Sequence, residues 1–149
     1  MAIQASREIV IEAPVGVVMN ALANISDVPK WSPVHKRAEV LDTYEDGRPH
    51  HVKVAIQVFK VPDEEILEFH WGPDWLVWDA EATALQTFQH VEYNLKRVGL
   101  DATRVRFEVT VEPANPISVL TSRRGITAVL QAATEGLRSA IRGEKPPFG

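Results

Sequence analysis

The chain has 149 residues, of which 45% are hydrophobic and 24% charged, and its formal net charge is −4. This length suits one domain with its own core, and the acidic balance argues against nucleic acid as a partner. Because the sequence contains no cysteine, it excludes a disulfide framework, a thiolate metal site and a cysteine nucleophile. No stretch approaches the ~18 apolar residues of a membrane span, and the start lacks a secretion-signal pattern. We therefore expect a soluble cytoplasmic protein without stable membrane insertion.

The N-terminal part of the chain predicts one strand followed by two short helices. Residues 2–12 include a β-branched run typical of a strand. Pro14 ends that strand and is well placed to open a helix, where its missing N–H costs nothing. Apolar residues recur at helical spacing over 17–25. Asp27, with the serine before it, can cap a second helix that runs through Trp31.

The hydrophobic period then changes to two, which predicts six consecutive strands. These strands are expected at residues 34–43, 51–58, 64–71, 76–83, 88–98 and 102–112. Turn residues separate them at Glu45–Pro49, Val61–Asp63, Gly72–Asp74 and Val98–Asp101. Strands joined by such short turns form an antiparallel sheet with one face that needs cover.

The C-terminal part predicts the covering helix. The stretch Glu112–Pro116 breaks the sheet pattern, and an apolar stripe at helical spacing follows: Leu120, Ile126, Val129, Leu130, Ala133, Leu137 and Ile141. Polar residues supply the opposite face: Arg123, Arg124, Gln131, Glu135 and Arg138. We expect a single domain over residues 1–142 and an unstructured, flexible tail over 143–149.

This order of elements resembles the START-like helix-grip (SRPBCC) superfamily, and within it the bacterial polyketide cyclase/dehydrase and lipid-transport branch. The stretches that carry the resemblance are SREIVIEAP (6–14), Val17-Val18, Ala21-Leu22, Trp31-Ser-Pro33, DATRV (101–105) and the long C-terminal amphipathic helix. The resemblance implies an α+β helix-grip fold. In it a seven-stranded curved antiparallel sheet wraps around the long C-terminal helix, with two short helices between strands 1 and 2. It also implies a hydrophobic cavity between sheet and helix, without naming what occupies it.

Three of the four tryptophans fall in one stretch, FHWGPDWLVWD, at residues 69–79. Strand alternation directs several of these rings inward, beneath the long helix, where small residues leave space beside them. We predict a ligand pocket lined by Trp31, Phe69, Trp71, Trp78, Ala80, Tyr93, Phe107 and Leu130. The alternative is that the indoles simply fill the core. The inward hydroxyl of Tyr93 either orients a ligand or is satisfied by backbone or water.

Catalytic and metal-binding signals are weak. The five histidines show no metal-ligand spacing, and His50 and His51 are expected to point to opposite faces, so neither metal nor cofactor is predicted. Asp79 and Glu81 face solvent by alternation and become catalytic candidates only if their strand is flipped. Arg123 and its neighbour Arg124 either steer an anionic ligand or form a solvated helix face. No nucleophile motif is present in the sequence.

Three functions remain open from the sequence. The first is binding, with transport as its extension, of a hydrophobic or aromatic small molecule. The second is a cyclase, dehydratase or isomerase, for which the residues offer only Tyr93, His35 or Lys36 at the mouth, and the Asp79/Glu81 pair. The third is a protein-partner module with an exposed apolar patch around Trp75 and the Leu76/Val77 edge. The sequence fits a monomer or a homodimer equally.

Overall fold

A computed structural model describes residues 2–114 and 122–144. Its described elements, in chain order, are β1 (Ile3–Ile11), α1 (Val15–Ala23), a 3-10 turn (Ile25–Asp27), α2 (Val28–Trp31), β2 (His35–Thr43), β3 (Pro49–Val58), β4 (Val61–Trp71), β5 (Trp75–Ala80), β6 (Gln86–Val98), β7 (Ala102–Pro113), α3 (Arg123–Gln131), a π-helical segment (Ala132–Gly136) and α4 (Leu137–Arg142). The last three elements form one long helix. Within these described ranges, no helix has the length and hydropathy to span a membrane.

The described strands form one antiparallel sheet in the order β1-β7-β6-β5-β4-β3-β2. Consecutive strands β2 to β7 are paired neighbours, and β1 pairs with β7 at the far edge. Buried residues alternate along β7, where the buried hydrophobic set is Val105, Phe107, Val109 and Val111. The predicted α+β helix-grip fold, with its short helices between the first two strands, is confirmed.

The long helix is capped at both ends but interrupted in its middle. Ser122 Oγ accepts the backbone N–H of Gly125 at 3.0 Å, which fixes the N-terminus. At the C-terminus Gly143 is left-handed, and the N–H of Glu144 donates to the Ser139 carbonyl at 2.9 Å, as in a Schellman motif. Gly143 and Glu144 therefore complete the helix instead of starting a loose tail. The tail residues 145–149 and Leu120 lie outside the described residues.

The π-helical segment changes which helix residues face the sheet. A π turn carries one more residue than an α turn, so it shifts the helical period. Ala132, Ala133, Thr134 and Gly136 are all buried, which a simple apolar stripe does not anticipate. Glu135, expected on the polar face, instead forms a partly buried ion pair with Arg7 of β1. This ion pair ties the long helix to an edge strand.

The turn between β3 and β4 lies earlier than the sequence predicts. Phe59 and Lys60 form a two-residue turn, both with positive φ (47° and 71°), and Val58 pairs with Val61. Pro62 is thus within β4 and not in a turn. Val58 and Val61 form the hydrogen-bonded pair that closes the hairpin. The next pair, Gln57 with Pro62, is then a non-hydrogen-bonded pair, so β3 requires no N–H from Pro62. The missing N–H of Pro62 leaves the described sheet intact on the other side as well, because β5 pairs with β4 only from Leu67 onward.

A bulge overturns the expected orientation of the two adjacent histidines. His51 pairs with Asp42, but the next pair joins Pro49 to Thr43, so His50 is an extra residue in β3. A bulge breaks the alternation of side chains across a strand. His50 and His51 therefore lie on the same outer face, with ring centroids 4.0 Å apart.

Replacing Lys60 with glycine should stabilise the protein. Type I′ turns favour glycine because both central residues have positive φ, and a side chain there costs about 1–2 kcal/mol. Glycine loses about 0.5–1 kcal/mol of this gain through unfolded-state entropy, so Lys60→Gly should add roughly 0.5–1 kcal/mol to the unfolding free energy in urea. Lys60→Ala, which keeps the Cβ, is the control and should add nothing. Equal gains in both variants would contradict a backbone origin.

Candidate functional site

A cavity of about 110 Å³ lies between the concave face of the sheet and the long helix. Val129, Ala132 and Ala133 of the long helix form one wall, and Trp31 of α2 contributes to another. The sheet supplies mostly apolar side chains from β3 to β7. The lining includes Val52, Val54, Ile56, Val58, Leu67, Leu76, Val91 and Val109. Such a surface favours apolar ligand atoms over water.

Aromatic rings form a continuous row along the sheet side of the cavity. Phe69 and Trp78 stack with centroids 5.0 Å apart, Trp78 contacts Tyr93 at 5.9 Å, and Tyr93 meets Phe107 edge-on at 5.0 Å. These four residues and Trp31 all line the cavity. Five of the eight residues named from the sequence are therefore brought together around one space. Offset and edge-on pairs of this kind hold the rings in fixed orientations.

Trp71, Ala80 and Leu130 are not among the lining residues, although each packs against the core. The Trp71 indole turns away from the cavity because its Nε1–H donates to the Pro49 carbonyl at 2.7 Å. The guanidinium of Arg48 lies over the same ring, 5.1 Å from its centroid. Trp71 thus fastens the loop before β3 to β4.

The remaining indole of the aromatic stretch shapes the hairpin instead of the cavity. Trp75 is 36% exposed, and its ring lies so close to Gly72 that a Cβ there would approach the indole nitrogen to 2.1 Å. Leu76 is fully buried. The apolar patch expected around Trp75 and the Leu76/Val77 edge therefore loses its central residue, because Leu76 shares the inward face of β5 with Trp78.

Tyr93 has a structural partner for its hydroxyl. Its O–H donates to the carbonyl oxygen of Ala133 in the π-helical segment at 2.8 Å. Burial raises the pKa of the Tyr93 phenol, so the group stays neutral. The hydroxyl therefore fixes the helix over the sheet, and Tyr93 is also one of the residues that line the cavity.

The polar group missing from the sequence interpretation is Glu65. It is 4% exposed and lines the cavity. The side-chain amides of Gln86 and Gln89 both donate to its Oε2, at 2.8 and 3.2 Å, and Gln89 also donates to Gln86 Oε1 at 3.1 Å. Strand alternation already placed Glu65 on the inward face with Leu67 and Phe69, so the signal was present.

Burial raises the pKa of the Glu65 carboxyl to about 7, and the negative charge of Asp63 acts in the same direction. The two amide hydrogen bonds oppose this rise by stabilising the carboxylate. Near neutral pH the carboxyl is therefore divided between its neutral and charged forms. A group of this kind can exchange a proton with a bound molecule.

His35 and Ser32 form a second polar pair in the lining, with Ser32 Oγ 2.7 Å from His35 Nδ1. The arrangement has the reach of a nucleophile and its base. However, burial lowers the pKa of the His35 imidazole to about 4, so it is a weak base at neutral pH. The pair fixes the turn between α2 and β2 and presents a neutral imidazole to the cavity. Lys36 is exposed and does not line the cavity.

The other sequence candidates lie outside the cavity. Asp79 and Glu81 are exposed, as alternation predicts, and Asp79 Oδ1 lies 2.6 Å from His90 Nδ1. Arg123 is exposed, and the guanidinium of Arg124 lies 4.8 Å from the centroid of Phe59. Neither arginine lines the cavity.

Solved structures of similar shape share this architecture at low sequence identity. A START superfamily protein from Mycobacterium smegmatis has a TM-score of 0.83 and 16% identity over 94% of this chain and 97% of its own. The Zhui aromatase/cyclase from Streptomyces sp. R1128 has a TM-score of 0.79 and 11% identity over 95% and 94%. A protein from Thermus thermophilus has a TM-score of 0.78 and 15% identity over 95% and 98%. These similarities establish the START-like helix-grip fold.

The family follows from the sequence itself. A family model described as polyketide cyclase/dehydrase and lipid transport matches residues 2–142, and the chain belongs to that family. A search of curated proteins gives no match. Family and fold together support hydrophobic ligand binding or polyketide cyclase/dehydrase activity.

The Glu65 carboxyl should make stability depend on pH. Its pKa is 4.5 when unfolded and about 7 when folded. Between these values the folded state binds more protons, so this contribution to stability falls as pH rises, by on the order of 3 kcal/mol in total. Glu65→Gln should therefore gain stability relative to the parent protein from pH 4.5 to 7 in urea unfolding. The exposed neighbour Glu64→Gln is the control, and parallel curves for parent and Glu65→Gln would contradict the assignment.

His35 should make the unfolding free energy depend on pH in the opposite direction. Its pKa is 6.5 when unfolded and about 4 when folded, so the unfolded state binds more protons in that window and stability rises with pH. A His35→Gln variant should lose this rise, and its stability relative to the parent should fall from pH 4 to 6.5 in urea unfolding. A relative stability that instead climbs over this range would contradict a buried neutral imidazole.

Proposed function

We propose that this protein binds a hydrophobic or aromatic small molecule in the cavity between the sheet and the long helix. The observation that carries the proposal is a buried carboxyl, Glu65, in the wall of a largely apolar, aromatic-lined cavity. An apolar body would lie against Phe69, Trp78 and Tyr93. A polar substituent on the ligand would face Glu65 and Gln89.

The size of the cavity restricts the part of a ligand that it can accept at rest. A volume of about 110 Å³ is slightly below that of an engineered cavity of roughly 150 Å³ that binds benzene. One aromatic ring or a short alkyl segment therefore matches this space. A larger ligand would need the lining side chains or the long helix to move. Burial of apolar area at about 25 cal/mol per Å² would supply most of the affinity.

Glu65 would determine which polar group the ligand carries. The hydrogen bonds donated by the two glutamine amides both end on its Oε2, so Oε1 accepts neither of these hydrogen bonds. A neutral carboxyl can donate to a carbonyl oxygen, whereas a carboxylate can only accept from a hydroxyl. Because the pKa of Glu65 lies at about 7, both kinds of ligand are accessible near neutral pH. A phenol or an enolisable ketone fits this requirement.

Glu65 also favours a second candidate function, an acid–base reaction of the cyclase or dehydratase kind. A carboxyl with a raised pKa, held in an apolar site, is suited to general acid catalysis. As the carboxylate it would take a proton from the carbon next to a ligand carbonyl, leaving an enolate. It would then return that proton to a hydroxyl on the neighbouring carbon, so that the C–O bond breaks, the enolate electrons form the new C=C bond and the hydroxyl leaves as water. The similarity to an aromatase/cyclase from Streptomyces is one of fold. Glu65 is the residue that supports this candidate.

Filling the cavity should weaken ligand binding. Val109→Phe adds a ring to the lining, and Val40→Phe makes the same change on the exposed edge strand as a control. Native mass spectrometry of the purified proteins, followed by extraction and titration with phenol and toluene, measures the outcome. We expect the parent and Val40→Phe to bind alike and Val109→Phe to bind at least about tenfold more weakly. Equal binding by Val109→Phe would place any ligand outside the cavity.

Glu65 variants separate binding from catalysis. Glu65→Leu should weaken the binding of phenol more than the binding of toluene, because only phenol has a hydroxyl that can form a hydrogen bond with the carboxyl. If a molecule extracted from the protein is converted by the parent, Glu65→Gln should retain binding and lose about 10²–10⁴-fold in turnover, the range for a general acid. Conversion that is unchanged in Glu65→Gln would exclude Glu65 as the acid and leave the protein a binder.

A further inference from the structure

A second group of chemically active side chains lies on the outer face of the sheet, away from the cavity. Asp42 of β2, His50 and His51 of β3, and Glu68 of β4 meet there. The bulge at His50 creates this group, because regular alternation would send one of the two imidazoles to the other face. The side chains of His50 and His51 are 28% and 35% exposed, so solutes can reach them.

The geometry on one side of the imidazoles matches a metal-ligand set. Asp42 Oδ1 lies 3.0 Å from His51 Nδ1 and 3.7 Å from His50 Nδ1. One ligand atom from each of these three residues lies within 4.8 Å of the others. Ligands of a tetrahedral zinc ion, bound at about 2.0–2.2 Å, lie roughly 3.3 Å apart. Small side-chain rotations would therefore bring the three atoms around one ion.

The other side of the imidazoles supplies the support that metal-binding histidines require. Glu68 Oε2 lies 3.4 Å from His50 Nε2 and 3.5 Å from His51 Nε2. A histidine that ligates a metal through one nitrogen commonly directs its other N–H to a carboxylate, which fixes tautomer and orientation. Asp42 is also held in place, since its Oδ1 accepts the backbone N–H of His51 at 2.8 Å.

We propose that Asp42, His50 and His51 form a binding site for a divalent first-row transition ion of the zinc class. Glu68 acts behind the two imidazoles as the positioning residue. Two imidazoles and one carboxylate suit Zn²⁺ and its neighbours better than Mg²⁺ or Ca²⁺, which prefer oxygen ligands. With three protein ligands, the fourth coordination position of a tetrahedral ion is left for water. The ion would link β2 to β3, and Glu68 would extend that link to β4.

The test uses the full chain after treatment with EDTA, titrated with Zn²⁺ by calorimetry and with Co²⁺ by absorption spectroscopy. We expect one ion per chain, a melting temperature that rises with Zn²⁺ concentration and a Co²⁺ spectrum typical of nitrogen and oxygen ligands. His50→Ala and His51→Ala should each weaken binding at least about tenfold, and Glu68→Gln by roughly tenfold to a hundredfold.

The control is His90→Ala. His90 lies between two carboxylates, with Nδ1 2.6 Å from Asp79 and Nε2 3.0 Å from Glu92, but it is a lone imidazole. This variant should bind Zn²⁺ like the parent. Asp42→Asn keeps the side-chain shape, so a loss of binding in a folded Asp42→Asn variant supports the site even if a histidine variant misfolds. Several weak equivalent sites, equal binding in His50→Ala and His90→Ala, or no binding would overturn the proposal.

Discussion

The hydrogen bond from Tyr93 to the Ala133 carbonyl sets the position of the long helix that covers the concave face of the sheet. A seven-stranded curved sheet offers more apolar surface than a single helix can bury. The helix must therefore be held at a defined distance from the sheet, and the space between them that side chains do not fill becomes the cavity. At the edge, the ion pair between Arg7 and Glu135 fixes the same helical segment to β1.

The π-helical segment makes this anchoring compatible with a helix. π turns are rare in proteins and often occur at functional sites. Here the segment Ala132–Gly136 buries four small residues against the sheet side, and two of them line the cavity. Small side chains at this point let the backbone approach Tyr93 while open volume remains beside Trp78 and Phe107. Anchoring and cavity are therefore two results of one local geometry.

The sequence predicts the fold far better than the site. Strand alternation and the apolar helix stripe are repeated over many residues, so errors such as the misplaced turn at Val61–Asp63 do not alter the topology. A site depends on single orientations. Trp71 has the inward parity of β4, yet its indole N–H turns to the Pro49 carbonyl. Glu65 has the same parity, and only its amide partners, 21 and 24 residues away, explain how a carboxyl is tolerated there. The paired histidines depend on a bulge, which alternation cannot reveal.

The irregular pairing of β2 with β3 has a consequence for solubility. β2 is an edge strand of the described sheet, and its register shifts at three points, next to Lys36, at Leu41 and at His50. Bulges and charges on an edge strand discourage a second molecule from adding its own strand. Lys36, Arg37, Glu39 and Asp42 supply those charges. The same irregularity that gathers the imidazoles thus protects this margin of the sheet against the strand-by-strand growth that leads to fibrils.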